Sequence, residues 1–213
     1  MTDTIREGKL VQYLSEAYGK EKELETALEA HIAMTTRPPY KKRLQGHLKE
    51  TKSHARELER RIKQLGGGGP QLLDKIAGQA AAKALSLAKG PLHMVRGTGG
   101  AEKMLKNAKT EYFNEHEEIA TYIAIETLAE QLGDAETAKL ARAIRRDEER
   151  MASFLEKQIP VLTKAVVTEE IPAKERRSNG ARPAARRRSS QGGSRTRARA
   201  KSSGRRRTAA SRS

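Results

Sequence analysis

Glu21 stands in the middle of a leucine stripe. Leu10, Leu14, Ala17, Glu21, Leu24 and Leu28 recur at spacings of four and three, so they share one face of a helix. A carboxylate on such a face is taken out of water, which is very costly unless a cation or a strong hydrogen-bond partner compensates. Three later segments carry acids to the same kind of position. Glu118 lies on the stripe Glu111, Glu115, Glu118, Tyr122, Ile125 and Ala129. Glu148 lies on the stripe Ala141, Ile144, Glu148, Met151 and Leu155, with Asp147 beside it. His47, Glu50 and His54 share one flank of the stripe Leu44, Leu48, Thr51, Ala55 and Leu58, and Glu50 and His54 can reach one cation. Acids and imidazoles converging from four helices predict a metal site with Glu21, Glu50, His54, Glu118, Asp147 and Glu148 as ligands. The chain has no cysteine, so the donors are oxygen and nitrogen, a set that suits iron or manganese.

Other polar residues of these segments have simpler readings. Glu115 and Glu149 read as solvated or salt-bridged, and His47 as a helix-surface histidine. His31 is accounted for by the negative end of its helix, His116 by its acidic neighbours, and Met151 by core filling. Tyr18 and Tyr122, each one turn from a stripe carboxylate, are placed to hydrogen-bond a ligand.

Four long helices must position these groups. The first is predicted from about Thr4, with Glu7 completing a capping box, to Met34. The second runs from about Pro39 to Leu65 and ends at the glycines 66–69. The third runs from about Ala101 to Leu132, where Gly133 is a C-terminal stop. Asp134 then caps a fourth that reaches about Lys164, with Pro160 bending its last turn. Between the second and third, residues 66–100 form a long crossover with its own short helix, interrupted at Gly78. The expected fold is therefore all-α: two antiparallel pairs joined by one long crossover, the connectivity of a ferritin-like four-helix bundle over residues 1–165. A shift of 97 residues lays Glu21 on Glu118 and Leu58 on Leu155, a pattern consistent with internal duplication.

The net charge of +16 is unevenly placed. Residues 172–213 hold 15 Lys or Arg and one acid, whereas the rest of the chain is within two charges of neutral. This tail is rich in Arg, Ser, Gly and Ala and cannot bury enough surface to offset its ordering entropy, so disorder is expected. Arg186, Arg187 and Arg188, then Arg195, Arg197 and Arg199, then Arg205, Arg206 and Arg207 form its basic groups. No aromatic residue is interleaved, so these arginines would neutralise phosphates without reading bases. Nucleic acid is the expected partner of the tail. The polar N-terminus and the lack of a long apolar run point to a cytoplasmic protein with no membrane partner, and the basic tail to association with the nucleoid.

The runs Tyr18 to Leu24, His47 to His54, Glu115 to Tyr122 and Leu128 to Gly133, with the acids Asp147 to Glu149, resemble the YciE/YciF-type ferritin-like proteins, a bacterial family associated with stress. The basic tail resembles those of Dps-like and nucleoid-associated proteins. The resemblance implies a ferritin-like bundle, a homodimer and a di-metal centre on Glu21, Glu50, His54, Glu118 and the Asp147–Glu149 cluster. It implies no particular reaction. The crossover departs from the family pattern, and the fourth helix has no histidine after its acids. Two functional expectations follow: a stress-related metal protein tethered to DNA, or a non-enzymatic nucleoid protein whose bundle serves only to dimerise.

Overall fold

The structure, a computed structural model, describes residues 5–89 and 99–176, which form an all-α helical bundle. Its helices are α1 (Ile5–Met34), α2 (Pro38–Gln64), α3 (Pro70–Lys89), α4 (Gly100–Leu132) and α5 (Ala135–Glu170). α4 and α5 pack along most of their length, α1 lies against α2, α3 and α4, and α2 meets α5 more lightly. The chain divides into Met1–Arg177 and Ser178–Ser213. The tail arginines, from Arg186 to Arg207, lie outside the described residues, as do Thr4 of the predicted capping box and His93. No described helix is long and apolar enough to cross a membrane.

Local chemistry sets the helix ends. Pro38 opens α2, where its missing N–H removes no helical bond. Gly133 closes α4 with a left-handed φ of 72° that a side chain would strain. Asp134 caps α5 by accepting from the Thr137 backbone N–H at 3.0 Å. The same carboxylate accepts two bonds from Arg61, at 2.7 and 2.8 Å, which fastens the end of α2 to the start of α5. One predicted interruption is absent, and one helix runs longer than expected. α3 continues through Gly78, and α5 runs past Pro160 to Glu170. Pro160 and Glu156 are both exposed, so the carbonyl that the proline leaves unpaired can be hydrated.

Apart from a small cluster of Leu10, Ala129 and Ala138, the apolar core is split in two. One cluster gathers Leu14, Tyr18, Leu58, Ile62, Tyr122 and Ile144, with Leu73 of α3 added to it. The other gathers Leu28, Tyr40, Leu44, Met104, Met151 and Leu155. The residues between these clusters along the four long helices include Glu21, His47, Thr51, His54, Glu115, Glu118 and Glu148, all buried. A polar layer thus crosses the middle of an otherwise apolar bundle.

Candidate metal centre

Each long helix contributes to this layer from its buried face. α1 supplies Glu21. α2 supplies His47 and His54, seven residues apart and so nearly two turns along one face. α4 supplies Glu115 and Glu118, and α5 supplies Glu148. Glu21, His47 and Glu148 are each only 1% exposed.

These side chains form two groups that share Glu148: Glu21, His54 and Glu148, and His47, Glu115 and Glu148. In the first, His54 Nδ1 lies 2.9 Å from Glu148 Oε1 and 3.4 Å from Glu21 Oε1. In the second, His47 Nε2 lies 3.1 Å from Glu115 Oε1 and 3.6 Å from Glu148 Oε2. Glu148 therefore presents one oxygen to each group.

The contacts are close, yet many do not satisfy the atoms involved. Both oxygens of Glu148, one oxygen each of Glu21, Glu115 and Glu118, and His54 Nδ1 are buried without a hydrogen-bond partner. Such a group normally costs about 1–3 kcal/mol, and a native protein tolerates few of them. Atoms that approach within 3–4 Å without a hydrogen-bond angle point toward a common centre, not along each other's bonds. Ligands about 2.1 Å from a small cation stand about 3 Å apart when at right angles, so the spacing fits donors around an ion. Glu111 supplies the contrast. It is equally buried on the same face of α4, but one oxygen meets His31 Nδ1 at 2.6 Å and the other accepts from the Tyr40 hydroxyl at 2.8 Å. Nothing in that pairing calls for an ion.

Glu50 and Asp147 take a different position from the one expected of ligands. Their side chains are 32% and 27% exposed, and each meets the outward nitrogen of a buried histidine. Glu50 lies 3.1 Å from His47 Nδ1, and Asp147 3.1 Å from His54 Nε2. Each is also paired with an arginine, Arg43 or Arg150. A carboxylate behind an imidazole fixes the tautomer and ring orientation, so that the other nitrogen faces inward. Glu21, His54 and Glu148 come together, and Glu118 is buried in the same layer. His47 and Glu115, which read as surface residues in the sequence, form the second group with Glu148. The available signals were the spacing of His47 from His54 and the run Glu111, Glu115, Glu118 on one stripe. His116 is exposed and bonds only its own helix, to the Tyr112 carbonyl. His31 is buried against Glu111 instead of resting on helix-end electrostatics alone.

Residues 6–168 match the family described as a domain of unknown function, DUF892. The chain belongs to the DUF892 family. This family is of the YciF-like, ferritin-like type, in agreement with the resemblance in the sequence. A solved structure of a protein from Xanthomonas campestris pv. campestris is similar at 26% identity with a TM-score of 0.62, covering 78% of this chain and 99% of its own. YcfI from Rhodopseudomonas palustris, at 22% identity and a TM-score of 0.51 over 73% of this chain and 96% of its own, shares the fold.

The electrostatics of this DUF892 chain follow from burying so many titratable groups together. Burial opposes charge on His47, but the carboxylates of Glu115, Glu50 and Glu148 outweigh it and push its pKa up to about 10. His54 is likewise opposed by burial and pushed up to about 11 by Glu148 and Glu21. Burial raises Glu115 to about 8. Glu118 is held well above the carboxylate range by burial and then by repulsion from Glu21, Glu148 and Glu115. Burial also raises Glu21, although His54 and the Tyr122 hydroxyl, which donates to Glu21 Oε1, pull the other way. Against burial, His54 and His47 keep Glu148 below its ordinary value. Without a bound cation, this layer keeps Glu115 and Glu118 from full ionisation and its imidazoles protonated beside a charged Glu148. Buried Glu and His side chains in these two groups could hold a metal ion.

Proposed function

We propose that this chain is a metalloprotein holding iron or manganese as a pair of ions. One ion would sit on Glu21, His54 and Glu148, the other on His47, Glu115 and Glu148, with Glu118 the further carboxylate of the layer. The observation that carries this reading is the set of buried, unpartnered carboxylate oxygens converging beside two histidines. Oxygen-rich ligation suits iron or manganese, and either metal would supply one-electron chemistry with dioxygen or peroxide. The protein's own groups bind and orient: Glu50 and Asp147 turn the imidazoles inward, Tyr122 fixes Glu21, and the two apolar clusters keep bulk water from both ends of the layer. The basic tail would associate with DNA and keep the centre near it, a placement suited to a stress-related role in which reactive metal is sequestered.

Metal analysis tests the centre. Full-length metal-free protein, reconstituted anaerobically with ferrous iron or with manganese and then desalted, should retain two ions per chain. Glu148→Ala should lose both, because it serves both groups, whereas Glu111→Ala, equally buried but outside them, should keep both. No metal retained by the wild type with either ion would sink the reading. The tail has its own test: replacing Arg186, Arg187, Arg188, Arg205, Arg206 and Arg207 with Gln in the full chain should weaken duplex retention and flatten its salt dependence. Unchanged retention would remove the tail from the reading.

A second reading, a nucleoid protein whose bundle only forms a homodimer, draws support from α4. Phe113 is 70% and Ile123 48% exposed on its outer side, with the exposed Ala120 between them and Ala124 just beyond. An apolar strip of this kind suits a helix of a second copy. Phe113→Glu should convert a dimer to a monomer in sedimentation.

A further inference from the structure

Apart from Arg150, which also pairs with Asp147, the outer sides of α2 and α5 carry a charge pattern that neither the metal centre nor the tail uses. On α2, Lys42, Lys49 and Arg56 follow at intervals of seven and Arg60 stands one turn beyond, all exposed. They occupy the crest opposite the buried face of Leu44, Thr51, Leu58 and Ile62. No acid shares that crest. Glu50, Glu57 and Glu59 stand on its shoulders, engaged by Arg43 and His47, by Ser53, and by Lys63. On α5, Lys139, Arg146, Arg150 and Lys157 repeat the arrangement, again exposed and again opposite the core. The exposed acids Glu149 and Glu156 lie on the other flank of α5, the one from which Arg142 and Arg145 reach Glu126 of α4. Lys42, Lys49, Arg56, Arg60 and Arg146 make no ion pair with a described carboxylate.

The two crests belong to neighbouring antiparallel helices. Arg61 reaches Asp134 at one end of their seam, and His54 meets Asp147 further along it. The acids along the seam, Glu50, Glu57, Asp134, Glu136 and Asp147, are already bonded, to Arg43, Ser53, Arg61 and His54, and are outnumbered by the cations of the two crests. Seven helical residues rise about 10 Å, so each crest is a straight row of separated positive charges. Such a row suits a repeating phosphodiester backbone better than a single small anion. Between the cations stand Gln45, Gly46, Ser53, Ala143 and Ser153. These residues supply no aromatic platform for bases and no bulky apolar wedge for a lipid interface.

We propose that the α2–α5 face is a sequence-independent docking surface for the phosphate backbone of duplex DNA, formed by the folded body itself. It shares a partner with the reading of the tail but none of its contact residues, and it does not require the metal centre. The test uses the full chain with its tail intact in every arm. Binding to a random-sequence duplex is followed by fluorescence anisotropy across a range of NaCl concentrations. Three proteins are compared: the wild type, Lys49→Gln with Arg56→Gln and Arg60→Gln, and a charge-matched control with Lys9→Gln, Lys103→Gln and Lys109→Gln. The slope of log affinity against log salt should fall by up to about 0.9 for each crest cation removed and change little in the control. An unchanged slope in the crest variant, or an equal fall in the control, overturns the proposal. Anionic phosphatidylserine vesicles form the last arm: loss of vesicle binding with an unaltered duplex slope would overturn the assignment to DNA. A failure confined to the tail variant would leave this face standing, and the reverse holds equally.

Discussion

Two glutamates on one helical face, Glu111 and Glu118, have opposite relations to their surroundings. Both are buried on α4, but Glu111 has two hydrogen-bonded oxygens, whereas Glu118 has an unpartnered one and three acidic neighbours. Substitution should separate them. Glu111→Leu leaves the Tyr40 hydroxyl and His31 without their acceptor and should destabilise the protein by about 1–3 kcal/mol. Glu118→Leu removes a carboxylate that the metal-free bundle holds at a cost, and should raise metal-free stability by an amount of the same order, about 1–3 kcal/mol, while reducing metal retention. Urea unfolding of the two metal-free variants measures both, and a Glu118→Leu protein less stable than the wild type would contradict the account. At this scale the sequence was partly legible. Glu21 and Glu148 are flanked by apolar residues on their own stripes, and Glu118 is followed by Tyr122 and Ile125 on its stripe, so their burial could be read from spacing. His47 and Glu115 depend on what faces them: the inward nitrogen of His47 and one oxygen of Glu115 meet each other across two helices distant in the chain.

At the scale of elements, the junction between α2 and α5 is the most specific tertiary fastening described. Asp134 is both helix cap and acceptor for Arg61, which also reaches the Thr137 hydroxyl at 2.8 Å and Glu136 at 2.6 Å. Asp134→Ala removes the cap and leaves a partly buried guanidinium with one carboxylate fewer. The loss should exceed the roughly 1 kcal/mol typical of a cap alone, whereas Asp134→Asn, which keeps capping oxygen but not charge, should lose less. Thermal unfolding of the two variants checks the order. The cap itself was legible, because an Asp after Gly133 at the end of an apolar stripe is a local signal. Its guanidinium partner lies 73 residues away and was not.

For the whole molecule, the polar layer couples stability to pH. His47 and His54 have folded pKa values of about 10 and 11, above their unfolded value, so their contribution is fully present below about pH 6.5 and is lost as pH rises through those values. Glu115, raised to about 8, adds in the same direction, because the folded state holds a proton that the unfolded chain has released. Glu50, lowered to about 2, works at the acid end, where its contribution disappears as pH falls. The melting temperature of the metal-free protein should therefore fall from about pH 6 toward pH 10. Metal displaces these protons, so the gap between loaded and metal-free melting temperatures should widen as pH rises from 6 to 8. Scanning calorimetry with and without manganese measures the gap, and one that does not vary with pH would count against proton displacement.

Periodicity and local stop signals determined the helices, their order and three buried acids, because a helix face and a cap depend only on residues a few positions apart. Only the tertiary structure decided the composition of the polar layer. α2 packs against more than one neighbour, so its buried arc is wider than a single stripe and takes in His47 and His54, while what Glu115 meets on its own stripe is set by His47 of α2. The same packing leaves Glu50 and Asp147 on the rim, behind the imidazoles. It also decided that α3 runs unbroken along α1, where Ile76 sits against Gly19, despite the glycine within it. Spacing assigns a residue to a face of its own helix, and what that face meets is fixed by helices distant in the chain.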